Sequence, residues 1–504
     1  MIFGQARGIN LSFRRIIVHR FITIAFVGLM ACTVANQTTK TTQNGSISGP
    51  TKPEVSAPST PKTISRKLIE FGWDKPVPAA ITTTKLEASP FDGVIFRSSA
   101  GDWTFLPKAL PVKEFDADIA AFKAIKSKKL ENSFYEIQSN ANQDWDWFND
   151  AMWKSTEANL AQTARVAKQS GLRGVMFDAE TYAFNIWHYK AQARAKMLSF
   201  TEYEAKIRER GAQTMRVLER EYPGLTFFTF WWLSNFEPDY AAANKTVNPY
   251  ATLHAQLEED GSGLWVAFVE GMLEAASDCV KFVDGNEGSY YYLRGPEFDA
   301  ARTRNKSEPL QLIRPDLRGK YGKQVQFGNA VYLDGIMNLH QSARFFGYYL
   351  NNDTDRQNMI AHNTFHGLRS SDEFVWVYGE KLNWWTGQAP VGLDAALRRG
   401  QRELLEGKAL SADPTTAVQV AEIAYKARVD VGGDMIGTSG KIPDFGAMQP
   451  HCGTWYNASR WSCTQPNGSS FTVTPKLDGV TFDPPAKTFS KLSKSKWAET
   501  FTAK

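Results

Sequence analysis

The chain has little cysteine, no excess of one charge and no apolar run long enough to cross a bilayer with ease. Each shortage removes a class of answer. Four cysteines in 504 residues, with no CxxC pair, give no zinc-binding pattern. Lys and Arg number 58 against 53 Asp and Glu, and no basic block is interleaved with aromatics, so nothing points to nucleic acid. No glycine-rich phosphate loop follows an early strand-like segment, which argues against a nucleotide-binding open sheet. No internal repeat is apparent. Histidine is scarce as well. His340, His362 and His366 fall on helix-like segments, and the spacing of the last two resembles a metal pair. The stretch HNTFH lacks the glutamate of the zinc-protease motif, so neither a metal nor a cofactor is expected.

What the chain does have is aromatic side chains, with 15 Trp, 17 Tyr and 32 Phe, a supply that suits sugar-binding clefts as well as cores. An apolar fraction of 42% is that of a globular protein. The length exceeds what one small core needs, and implies a large domain with an accessory region or two to three domains.

At the amino end, Arg14, Arg15, His19 and Arg20 precede an apolar run over 21–30 that closes in Leu29-Met30-Ala31-Cys32. A basic region, a short apolar region and small residues predict a secretory signal. The last four residues resemble a bacterial lipobox, which implies a lipoprotein signal over 1–32 and lipidation of Cys32. Cleavage by ordinary signal peptidase and an uncleaved anchor are the alternatives. Residues 33–63 are rich in Thr, Ser, Pro, Gln and Asn and cannot bury enough apolar surface to fold, so they read as a flexible tether. The expected location is therefore the bacterial cell envelope, on the periplasmic or cell-surface side, with the membrane touched through a lipid alone. Cys279, in an apolar strand-like run, reads as a buried free thiol. Cys452 and Cys463, eleven apart in a loop-like region, form an expected disulfide outside the cytosol.

From residue 64 the chain alternates strand-like and helix-like segments. Short apolar runs begin near residues 68, 92, 133, 174, 225, 279, 324 and 373, and helical spacing fills the intervals. Eight buried strands separated by helices predict an α/β fold, a (β/α)8 TIM barrel over 64–410. Residues 411–504 turn from helical spacing to Gly, Ser, Thr, Asn and Pro with short strands, and read as a small C-terminal helical and β-rich appendage.

The segment 171–187, GLRGVMFDAETYAFNIW, organises the functional reading. Its apolar run stops at Asp178-Ala179-Glu180, so two carboxyl groups leave the end of one strand and converge if the extended conformation continues. Crowded carboxyls can keep one member protonated near neutral pH. The competing explanation is that Asp178 caps the next helix and Glu180 lies in its first turn. The pattern recurs, however, and in a barrel every strand end faces one mouth. That would gather Trp73, Arg97, Asp178, Glu180, Trp231, Trp232, Asp284, Glu287, Asp334, Tyr378 and Glu380.

These residues resemble barrel-type glycoside hydrolases over about 64–402, on Phe177-Asp178-Ala179-Glu180, Asp284-Gly285-Asn286-Glu287 and the run from Tyr378 to Trp385. In the largest such clan, Asn precedes the acid/base glutamate on strand four; here Ala179 stands in its place. Chitinase-like barrels carry spaced aspartates ending in D-x-E; Asp178 and Glu180 match, and Met176 and Arg173 occupy the earlier positions. The resemblance implies hydrolysis of a poly- or oligosaccharide. Independently of family, acetal cleavage needs one carboxylic acid to protonate the leaving oxygen and one carboxylate to attack or to activate water. Glu180 is the expected acid, with Glu287 its first partner, Glu380 its second, and Asp178 and Asp284 in support. Trp187-His188, Trp231-Trp232 and Trp384-Trp385 are the expected sugar platforms, while Asn286 and Arg97 would fix hydroxyls. Asp144, Asp146 and Asp150 read as solvated or capping groups, Asp334 as part of a turn, and Glu136 and Glu373 as structural. A carbohydrate-binding lipoprotein with a degenerate, non-catalytic barrel is the alternative.

Overall fold

The structure, a computed structural model, describes residues 66–504 apart from 73–75, 101–103, 183, 412–413, 439–442, 446–451 and 456–459. The signal and tether expected over 1–63, the lipidation expected at Cys32, and Trp73 lie outside the described residues.

Nine strands form one all-parallel sheet: β1 (Lys67–Gly72), β2 (Gly93–Phe96), β3 (Phe134–Gln138), β4 (Gly174–Asp178), β5 (Thr226–Thr229), β6 (Lys281–Asp284), β7 (Val325–Phe327), β8 (Asn329–Tyr332) and β9 (Phe374–Gly379). Their order is β7-β6-β5-β4-β3-β2-β1-β9-β8. The two ends of the sheet, β7 and β8, are one stretch of sequence interrupted at Gly328. β7 pairs with β6 while β8 pairs with β9, so the sheet comes back on itself. Gly328 donates its N–H to the Asp284 carbonyl at 2.7 Å, and a side chain there would meet that carbonyl oxygen at 3.2 Å and the Phe374 carbonyl oxygen at 3.0 Å. The seventh strand-like stretch of the sequence is thus the bent stave that nearly closes a TIM-like barrel.

Strands β2, β3, β4, β5 and β8 are buried along their whole length, as parallel strands roofed by helices must be. The roof includes the helices Val112–Ala124, Asp150–Gln169, Phe200–Glu221, Gly263–Ala275, Gly295–Ser307, Asp353–Ser370 and Leu393–Leu405. Phe177 of β4 stacks on Phe227 of β5 at 5.6 Å and on Trp265 at 5.7 Å, joining sheet to helix through aromatic faces. Local chemistry sets several helix starts. Asn149 accepts from the N–H groups of Ala151 and Met152, so the second of these helices begins at Asp150. Ser199 and Glu202 close a capping box on the next one. No described helix is long and apolar enough to cross a membrane.

Two local expectations are corrected. Cys279 is half-buried in the turn before β6, not in the strand, and is not a free thiol. His340 lies on a turn beyond β8 and not on a helix.

The helix Thr415–Lys426 packs Val418 and Ala421 into an apolar cluster with Val331, Val375 and Leu397 of the barrel. From Val429 the chain is β-rich, with a five-stranded sheet and a two-stranded ribbon. A core of Val429, Val431, Trp461, Val473, Phe489 and Phe501 lies between them. Cys452 and Cys463 sit opposite each other in register and are joined by a disulfide. Trp461 is buried and donates to the Glu499 carbonyl at 2.7 Å.

Candidate functional site

The carboxyl ends of the strands meet at one mouth, and hydrogen bonds at each exit decide which side chains reach it. At β4, the chain does not stay extended: Asp178 Oδ1 accepts the backbone N–H of Glu180 at 2.9 Å, turning it sharply. The turn is laced to the exit of β3, where Ser139 Oγ donates to the Glu180 carbonyl at 3.1 Å and Asn140 Oδ1 accepts from Tyr182 N at 2.7 Å. Asn140 Nδ2 in turn reaches Gln138 Oε1 at 3.1 Å, and Gln138 Nε2 reaches Glu136 Oε1 at 3.1 Å. Arg97, at the exit of β2, pairs with Glu136 at 3.4 Å. The Tyr182 hydroxyl donates to Glu180 Oε2.

At β6, Asp284 is buried and saturated. Its carboxylate accepts from Leu233 N at 3.0 Å, Ser234 N at 2.9 Å, Ser234 Oγ at 2.6 Å and Asn286 N at 3.0 Å, which fastens the loop after β5 to this strand. Gly285 follows with no room for a side chain: a Cβ would lie 2.7 Å from the Thr229 carbonyl oxygen and 2.9 Å from Trp376 Nε1. Asn286 takes the left-handed conformation, with φ +46°, and donates to Asn329 Oδ1 at 3.1 Å. These two turns deliver Glu287 to the mouth.

At β9, Asp334 provides the fixture. It is fully buried, and its Oδ2 accepts the backbone N–H groups of Glu380 and, at 3.2 Å, Lys381. The Tyr332 hydroxyl donates to Glu380 Oε1 and lies 2.7 Å from His340 Nε2, which is itself 3.1 Å from Glu380 Oε1.

Four carboxyl groups therefore come from three strand ends with unlike proton affinities. Burial pushes the Asp178 carboxyl well above the usual range, reinforced by Glu180, Glu136 and Glu287. Burial raises Glu180 too, opposed by the Tyr182 hydroxyl. Glu287 is pushed up to about 8, by burial first and then by the nearby charge of Glu180. Glu380 moves the other way. Its hydrogen bond with His340 lowers it against the opposing effect of burial, and the Tyr332 hydroxyl adds to the lowering.

Two cavities open at the mouth. The inner one, of about 520 Å³, lies over the barrel and is bordered by Arg97, Gln138, Asn140, Asp178, Glu180 and Tyr182 with aromatic walls of Phe71, Phe230 and Trp376. The outer one, of about 680 Å³, is bordered by Trp231, Ser234, Asn235, Tyr291, Arg344 and Phe345. Glu287, Tyr290, Tyr378 and Glu380 border both. Tyr290 stacks on Tyr378 at 5.9 Å and on Tyr332 at 4.9 Å, while Phe230 stacks on Trp376 at 4.3 Å.

Of the residues singled out in the sequence, Arg97, Asp178, Glu180, Trp231, Glu287, Tyr378 and Glu380 line this cleft. Others do not. Trp232 is fully buried against Phe282 and Trp265, and Trp187 against Trp147 and Trp265, its Nε1 donating to the Ala179 carbonyl at 2.7 Å. Trp384 packs edge-on to Phe91, Trp385 is buried, and His188 is half-buried outside both cavity linings. Asp284 and Asn286 are buried in the turn they hold. The shared cause is area: a Trp beneath a strand-exit loop has more apolar surface to bury than one facing the mouth. Glu373 is at the opposite end of the barrel, bound by Arg173 at 3.0 and 3.1 Å. Asp146 pairs with Arg194, and Asp150 with Arg210 in the first turn of its helix.

Phe71, Gln138, Asn140 and Trp376 were not read as site residues. Phe71, Gln138 and Asn140 lie at or just past strand exits, the positional signal that marks the carboxylates, whereas Trp376 is in the middle of β9 and has no such signal. Asp334, His340 and Glu380 each offer a ligand atom within 4.8 Å of one another, the spacing a divalent ion would need. Their hydrogen bonds to Tyr332 and to the backbone account for the same proximity.

No protein-family model matches this sequence, and no curated protein matches it.

Proposed function

We propose that this barrel is a glycosidase that cleaves a poly- or oligosaccharide by carboxylate acid/base catalysis. The single observation that carries the reading is the pair Glu287 and Glu380. Both border the junction of the two cavities, one raised to about 8 and the other lowered. Near neutral pH the first holds a proton and the second is a carboxylate, the two states that acetal cleavage requires at once. Glu287 protonates the departing glycosidic oxygen, and the Glu380 carboxylate attacks the anomeric carbon or takes a proton from the attacking water. Glu287 thus takes the part first given to Glu180, whose nearby charge helps keep that proton in place. Stacked tyrosines offer faces to the apolar side of a pyranose, and Gln138, Asn140 and Arg97 offer partners for its hydroxyls.

The test is release of new reducing ends from a polysaccharide panel by the purified chain, with Glu380→Gln as the control. Hydrolysis by the wild type alone supports the reading. Retention of a glycan without turnover would replace it with the non-catalytic binding protein. We also read 1–32 as a lipoprotein signal that leaves Cys32 lipidated at the cell envelope. An unmodified amino terminus at Thr33 or beyond, in the intact mass of membrane-extracted protein, would overturn that.

A further inference from the structure

We propose that the substrate is a chain that lies across the mouth, with sugar units bound on both sides of the carboxyl groups, and that the enzyme cuts internal linkages. The proposal rests on the glycosidase reading and adds where along the glycan it acts.

The argument is the placement of the carboxyls. In a site that trims single units from a chain end, the acid and the carboxylate sit at the rim of a pocket closed beyond one sugar. Here Glu287 and Glu380 sit at a waist, with about 520 Å³ on one side and about 680 Å³ on the other. Each volume alone falls within the range of roughly 300–1,000 Å³ that holds a ligand larger than one sugar ring.

The two lobes are built from different strand exits. The inner lobe draws Phe71, Arg97, Asn140 and Glu180 from the exits of β1 to β4, and the outer lobe draws Trp231 and Asn235 from beyond β5 and Arg344 from beyond β8. A ligand filling both must cross the barrel mouth past Glu287 and Glu380, which border the two lobes alike. Both lobes also carry what a sugar needs, an exposed aromatic ring and hydrogen-bonding side chains: Tyr182 with Asn140 in one, Tyr291 with Asn235 and Arg344 in the other. Asp284 fixes the outer wall, since its carboxylate holds Leu233 and Ser234 in the loop that carries Trp231 and Asn235. The outer lobe is a built part of the mouth.

The experiment is a short digestion of soluble xylan, mannan, mixed-linkage glucan, starch, pectate and peptidoglycan, followed by reducing-end assay and product sizing. A rapid fall in mean polymer length with oligosaccharides of several units supports the proposal. Release of mono- or disaccharide while the polymer keeps its length overturns it and leaves the glycosidase reading standing. No new reducing ends from any polymer overturns both. On the polymer that is cut, the Asn235→Ala/Arg344→Ala double variant, which changes two exposed side chains of the outer lobe, should lower kcat/KM about tenfold through lost hydrogen bonds. It should also shift the distribution of product lengths. An unchanged rate and distribution would overturn the outer lobe as a binding site.

Discussion

Glu287 and Glu380 border the same waist of the cleft, yet their surroundings drive their protons in opposite directions. Glu287 is desolvated beside another acid, and Glu380 is desolvated beside an imidazole and a phenol that donate to it. Two like side chains thereby acquire unlike states at one pH.

The first expectation is a bell-shaped dependence of kcat/KM on pH. Activity falls on the alkaline side as pH rises through about 8, where Glu287 gives up its proton. It falls on the acid side as pH drops through the lowered value of Glu380, below the ordinary 4.5. Because the charge of Glu180 helps hold Glu287 up, Glu180→Gln should move the alkaline limb to lower pH. An alkaline limb unmoved by that change would count against the coupling.

Removal of the proton donor should hurt most where the leaving group is poor. Glu287→Gln should lose about 10²- to 10⁴-fold on the natural glycan and retain more of its rate on an aryl glycoside with an acidic phenol. Glu380→Gln should lose activity on both, since no carboxylate remains to attack or activate water. Steady-state kinetics on the two substrates decide it, and near-wild-type turnover by both variants would move the catalytic role to Glu180.

His340 acts through Glu380 and is a positioning residue. Its hydrogen bond is the largest influence lowering the Glu380 carboxyl, so His340→Ala should raise that group and move the acid limb of the pH profile to higher pH. Tyr332→Phe should move the limb the same way, because it removes the hydroxyl that donates to Glu380. A loss of activity uniform across pH would indicate a purely structural role.

Trp232, for all its position after a strand, should behave as core. Full burial against Phe282 and Trp265 means that Trp232→Ala costs about 3–5 kcal/mol of stability. Denaturant unfolding measures that loss. A variant as stable as wild type but weakened in glycan binding would instead make Trp232 a sugar platform.

The order of elements was legible in the sequence because it depends on local rules. Apolar runs of strand length, helical spacing, caps and glycine-marked turns each act over a few residues, and eight such runs imply the barrel whatever their side chains do at the mouth. Asp178, Glu180, Glu287 and Glu380 could be picked out for the same reason, since each lies at or just beyond the end of a run.

What remained was decided by contacts between residues far apart in sequence. Gly328 became the bend of the closing stave only because the Asp284 and Phe374 carbonyls crowd it from neighbouring strands. Asp284, a strong candidate by position, was drawn into holding Leu233 and Ser234, fifty residues away. Glu380 met His340 and Tyr332 from a different strand exit, and that meeting set its proton affinity. Most of the tryptophans went to the core, because burial of a large apolar face stabilises the fold more than its display at the mouth. The sequence alone determined which groups stand at the strand ends. Only the tertiary structure decided which are used up in holding the loops and which are left facing the cleft, because hydrogen bonding and desolvation depend on neighbours brought in from elsewhere in the chain.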